Sequence, residues 1–222
     1  MGCLTLPLFL LLVALLPLAF GQLFATALLK LRLEPGIALL LAIAMIIGGA
    51  INIPVKRITR CHPVAVDPLA IFGLMGWWPR FQYAQRETII AVNVGGCLVP
   101  VSLALYEIGH LVLDASQSLT GLGVALAVNT AVCYWLARPM PGIGIALPGL
   151  VPPIAAVLCA VWFTPEQATP VAFTAGVLGP LIGADLLHLR DIAHVDTGIV
   201  SIGGAGTFDG IVLSGVVAAY LA

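Results

Sequence analysis

About seven stretches of roughly 20 residues run through this chain almost free of charge, each long enough to cross the hydrocarbon core of a bilayer as a helix. Inside lipid every backbone N–H and C=O must find a partner within the protein, which confines such a chain to helices or a closed barrel. The apolar runs are continuous and not alternating, and this selects helices. Composition agrees: 61% of residues are hydrophobic and 9% charged, with a mean hydropathy of +1.13, whereas soluble domains carry about a quarter charged residues. The expected fold is all-α, a polytopic integral membrane protein whose residues 1–222 form one membrane domain with the lipid bilayer as its principal partner.

The runs place spans at 4–28, 36–54, 89–113, 119–137, within 142–163, at 168–189 and at 198–222. A cleaved signal peptide is the alternative for the first, but that segment has no basic leader and its apolar stretch is long for one. The start "MGCLTL" has Leu6 where an N-myristoylation signal needs Ser or Thr. If the 55–87 connection is cytoplasmic, so are Lys56, Arg57, Arg60, Arg80, Arg86, Arg138 and Arg190, leaving only Lys30 and Arg32 outside. The positive-inside rule then puts the N-terminus in the cytoplasm and the C-terminus outside, in the cell membrane.

Two regions interrupt the pattern. The connection 55–87 carries Trp77, Trp78, Phe81 and Tyr83 beside its basic residues, a composition suited to the headgroup layer and to anionic lipid. The fifth region, "RPMPGIGIALPGLVPPIAAVLCAVWF", holds five prolines and three glycines ahead of its apolar end. Each internal Pro removes a backbone hydrogen bond and crowds the preceding turn, so this span is expected to be broken or re-entrant. Irregular backbone at membrane depth is tolerated where it is buried or lines a wet cavity.

The segment 183–210, "GADLLHLRDIAHVDTGIVSIGGAGTFDG", carries four of the chain's six aspartates. An acid in hydrocarbon costs at least about 2.5 kcal/mol at a helix centre, which makes each a functional candidate. Asp185 and Asp209 are the candidate pair, Asp209 lying about 16 Å inside a helical last span. Two carboxylates that meet in a low-dielectric site share one proton at neutral pH. Asn93, Gly183, His188, Gly204, Gly206 and Thr207 are the residues expected to line that site. Asn93 is followed by Gly95-Gly96, which permit close backbone approach, and Asn129 is expected to act as glue between helices. His188, Asp191 and His194 form a weak metal-binding face, read otherwise as a solvated helix end. Glu107 and His110 read as an interfacial pair reaching towards water. Five scattered cysteines without a C-x-x-C pair suggest neither metal nor cofactor, and a net charge of −1 argues against nucleic acid.

"GGAINIP" (48–54), "AVNVGGCLVP" (91–100), "RPMPGIGIALPGLVPP" (138–153), "GPLIGADLLHL" (179–189) and "SIGGAGTFDGIVLSG" (201–215) resemble, in order and over most of the chain, a prokaryotic multi-pass membrane family known as domain of unknown function sixteen-fourteen. That resemblance implies a membrane protein and no particular activity. A more distant similarity is to intramembrane aspartyl proteases, which carry one catalytic Asp on each of two neighbouring helices; it would give those roles to Asp185 and Asp209. Those proteases mark the second Asp with Gly-x-Gly-Asp, where this chain has "GTFDG".

Three functions fit these residues. The first is a carrier or channel for a small ion or solute, using the intramembrane acids. The second is an aspartyl-protease-like hydrolase acting on a membrane peptide with the same pair. The third is a structural or assembly role in which the acids only bind helices together.

Overall fold

A computed structural model describes residues 21–65, 81–140, 144–189, 199–204 and 210–222. The chain is mostly helical. Helix α1 covers 21–30, α2 Pro35–Gly48, α3 Val99–Asp114, α4 Leu119–Leu136, α5 Val151–Phe163, α6 Ala168–Pro180 and α7 Gly210–Leu221. A π-helical turn, Val94–Leu98, leads into α3, and a second, Leu181–Leu186, continues α6. With these turns and short 3₁₀ segments, Val94–Asp114, Ser116–Leu136 and Pro165–Leu186 are long and apolar enough to cross a membrane, by length and composition.

The centre of the bundle is α6. Residues 171–177 are buried on every side, as expected of a helix that is apolar all round. Its small residues let four helices, α3, α4, α5 and α7, approach it. Gly176 lies against the backbone of Ser214 and Gly215 on α7, and Gly179 against Asn129 on α4. The Asn129 amide donates to the carbonyl of Ala175 at 2.8 Å, so the amide read as glue joins α4 to α6. Small residues and one amide thus hold α6 against its neighbours.

The chain is not helical throughout. Strands β1 (Asn52–Ala65) and β2 (Phe81–Asn93) form an antiparallel ribbon, and β5 (Ile199–Ile202) pairs parallel with β2 at Ile89–Val92. Much of the 55–87 connection is therefore strand, and the helices at 36–54 and 89–113 are trimmed by it. The reason lies in Ile53, Val55, Ile58, Thr88, Ile89, Ile90 and Val92, β-branched residues that fit a pleated surface. Pro54 and Pro63 are tolerated because β1 is an edge strand, and a bulge falls between Pro54 and Lys56.

The last span also departs from expectation. It opens as β5, turns at Gly203 with φ +69°, and only then continues as α7. With residues 199–202 extended, the depth reckoned for Asp209 from a continuous helix does not hold. The fifth region is broken as its prolines require: β3 (Arg138–Met140) and β4 (Gly144–Ala146) form a short antiparallel pair before α5 begins.

The irregular segments gather at one end of the bundle, the sheet end, with the start of α3, the end of α6 and the start of α7. At the opposite end, Lys30 at the close of α1 donates to the carbonyl of Tyr220 at 2.6 Å near the close of α7.

A Cβ at position 179 would lie 2.5 Å from the Asn129 amide nitrogen and 2.8 Å from its carbon, whereas a Cβ at 123 would meet nothing within 4 Å. Gly179→Ala should therefore lower unfolding stability by about 1–3 kcal/mol, and Gly123→Ala should be neutral or stabilising by up to about 1 kcal/mol. Unfolding of the two purified variants in mixed detergent measures both.

Candidate functional site

Asn93 closes β2 and caps the π-helical turn that follows, and its side chain is wholly buried. Its Nδ2 donates to the carbonyl of Gly49 at 2.8 Å and to Asn52 Oδ1 at 3.0 Å, while its Oδ1 accepts from the Gly96 backbone N–H at 2.7 Å. Asn52, opposite Asn93 in the ribbon, also accepts from the Ser201 hydroxyl on β5. One amide thus joins the end of α2, both strands of the ribbon and the start of α3, and reaches β5 through Asn52.

Glycines make this junction possible. Gly95 sits against the backbone of Met45, Gly48 and Gly49, and Gly96 against the carbonyl of Gly203. A side chain at either position would have no room. Gly204 closes a turn on Ser201 with a 3.1 Å backbone bond. Asn93 and Gly204 therefore meet at this junction, and three of the five motifs quoted above, at 48–54, 91–100 and 201–215, converge there.

The other two motifs meet at Asp185. Pro180 cannot donate a backbone hydrogen bond, and beyond it α6 gives way to the π-helical turn, closed by Leu187 N–H to the carbonyl of Ile182 at 3.0 Å. Such turns often mark functional positions. Asp185 lies on this turn, half-buried, and lines a pocket of about 270 Å³ with Pro180, Ile145, Leu147 and Gly210. The broken fifth region, the end of α6 and the first residue of α7 thus share one cavity.

Two further candidates support this turn. Gly183 packs against the Thr130 carbonyl and lies close to Cys133 and Tyr134 on α4. His188 is buried, its Nδ1 donates to the Gly183 carbonyl at 3.1 Å, and its ring stacks 4.8 Å from that of Tyr134. A donating Nδ1 fixes the imidazole in place behind Asp185. Asp209, Gly206 and Thr207 lie outside the described residues, as do Asp191 and His194 of the metal-binding reading. Among the described residues no group of three metal-ligating side chains occurs.

The opposite end holds a residue that the sequence reading misplaced. Glu107 does not reach towards water: it is only 5% exposed, and its Oε1 has no hydrogen-bond partner among the described residues. It shares the buried stripe of α3 with Pro100, Leu103, Ala104 and Leu111, the helical spacing of a core face. His110, one turn on, is exposed and pairs instead with Asp114, 3.4 Å away. Thr174 on α6 and Ser214 on α7 also carry buried hydroxyls without a partner among the described residues.

A family model described as a protein of unknown function, DUF1614, matches residues 46–221. No curated protein and no solved structure matches the chain.

Replacing Asn93 by Ala removes three hydrogen bonds and strands the buried Gly96 N–H and the half-buried Gly49 carbonyl. Asn93→Ala should cost about 2–4 kcal/mol, whereas Ser201→Ala, at a more exposed contact, should cost about 1 kcal/mol or less. Denaturant unfolding followed by tryptophan fluorescence tests this order.

Proposed function

The chain belongs to the DUF1614 family, whose description assigns no activity, and we propose that it is an integral membrane carrier or channel for a small ion or solute, with Asp185 as the group that holds the cargo or a coupled proton. The observation that carries this reading is the Asp185 pocket: an acid placed where a helix loses its regular hydrogen bonding, facing a re-entrant strand pair and the start of another helix. Discontinuous helices around a charged group are the usual way to build an ion or solute site at membrane depth.

The outer surface supports a membrane setting. Leu39, Leu40, Ile46 and Ile47 on α2 and Leu158 on α5 are more than 60% exposed, a belt that water would not tolerate. Trp135 (85% exposed) ends α4 at the sheet end, and Trp162 (83% exposed) ends α5 at the opposite end, as amphipathic rings at two interfaces would. Lys56, Arg57 and Arg138 fall at the sheet end and Lys30 and Arg32 at the other, which makes the sheet end cytoplasmic under the positive-inside rule.

In this reading Asp185 receives a cation or a coupled proton at the pocket it shares with Ile145, Leu147, Pro180 and Gly210. The buried Thr174 and Ser214 hydroxyls, without a partner among the described residues, supply polar positions deeper in the bundle.

A second reading rests on Gly210. That residue lines the Asp185 pocket and directly follows Asp209 in sequence, which brings the backbone next to the second aspartate to the same cavity. An aspartate pair there would suit hydrolysis of a membrane peptide.

Flux decides between them. Reconstituted in vesicles with a pH-sensitive dye inside, the chain should pass protons with or without a co-ion, and Asp185→Asn should cut the rate at least about tenfold while leaving the unfolding midpoint unchanged. Equal flux in Asp185→Asn would sink the carrier reading. Cleavage of a membrane peptide, lost in both Asp185→Asn and Asp209→Asn and accompanied by no flux, would establish the hydrolase in its place.

A further inference from the structure

At the end of the bundle away from Asp185, a pocket of about 170 Å³ opens between the close of α1, the last turns of α3 and the start of α6. Glu107 lines it from the buried side, with Oε1 unpartnered among the described residues. A carboxyl left short of donors costs more than an ordinary hydrogen bond returns, so Glu107, which lines the pocket, favours a ligand that brings donors to it. Lys30 and Arg32 line the same pocket from the α1 side, and His110, Asp114 and Gln167 complete its polar wall.

The charges on these walls are sorted by depth. Lys30 is held by the Tyr220 carbonyl and stands 5.7 Å from the centre of the Tyr220 ring. His110 and Asp114 face each other and largely satisfy one another at the surface. That leaves Arg32, whose side chain is exposed and whose backbone takes a left-handed φ of +59°, as the pocket's cation with no side-chain hydrogen-bond partner among the described residues. An acid sits at the buried wall and a guanidinium at the rim. A simple anion would meet Glu107, and a simple cation would pass Lys30 and Arg32, so neither matches the site.

We infer that this pocket is a binding site for a small zwitterion, with its ammonium group on Glu107 and its carboxylate on Arg32. An ammonium offers three N–H donors to the Glu107 carboxyl, and guanidinium binds carboxylate in a two-pronged geometry that Lys does not reproduce. A volume of about 170 Å³ admits a molecule the size of glycine or β-alanine. The site is separate from the Asp185 pocket, and its occupancy is read by binding alone, without flux.

Equilibrium dialysis of the purified full chain in detergent, with radiolabelled glycine, alanine and β-alanine as probes, tests the assignment. At least one probe should bind saturably, one per chain, and Glu107→Gln and Arg32→Gln should each weaken it at least about tenfold. Methylammonium and acetate, each carrying half of the ligand's charge, should compete at least about tenfold less well. The inference fails if none of the three binds, if either variant binds as the parent does, or if methylammonium competes as well as the zwitterion. Should Glu107→Gln lose its cooperative unfolding transition, Arg32→Gln decides, because its side chain is exposed at the rim of the pocket.

Discussion

The architecture hangs on the carboxamide of Asn93. An amide carries a separate donor and acceptor on one uncharged side chain, and here both capacities are used on a side chain without exposure to solvent. Its carbonyl oxygen stands in for the missing acceptor at the start of a helix, and its nitrogen reaches the last turn of α2 and the neighbouring strand. Asp or Leu in its place would keep at most part of this pattern. Because the Asn93 side chain itself is wholly buried, its bonds hold the junction more firmly than the same bonds would hold a surface turn.

From that junction follows the division of the bundle into two unlike ends. Regular helices satisfy their own backbone, so the interior needs only close-fitting small residues, supplied by α6 and its neighbours. Where the helices stop, their free backbone groups require partners, and the chain gathers strands, π-helical turns and glycine contacts in one place. The Asp185 pocket lies in that region because irregular backbone leaves the space and the polar surroundings that a helix interior lacks. The opposite end is built from side chains instead, with Glu107 on the core face of α3 and cations at the close of α1.

Much of this was legible in the residues. The prolines of 138–153 announced a broken span, Asn129 announced a bond between helices, and Asn93 followed by Gly95-Gly96 announced a close approach, because each effect is local to a few residues. The ribbon was not legible. Its β-branched residues were absorbed into apolar runs that hydropathy reads as helix, and whether such a run becomes strand depends on a partner more than a hundred residues away in the case of β5. Glu107 was misread for a different reason. Its distance along the span suggested an interface, whereas its spacing from Leu103, Ala104 and Leu111 carried the true signal. Asp185 was found as a candidate because an acid in an oily run stands out, but the cavity around it depends on how the fifth and last segments come back to the same place.

The parallel pairing of β2 with β5 constrains how the chain can be assembled. Residues 89–92 emerge from the ribosome long before 199–202, and during that interval β2 presents a bare edge. Four helices must form and pack before the strand that covers it exists. Formation of this sheet is therefore a late, non-local step, slower than the helix packing that precedes it. A chain stalled at that step would expose its edge to other chains, which makes the closing strand the point at which biogenesis either completes or turns to aggregation.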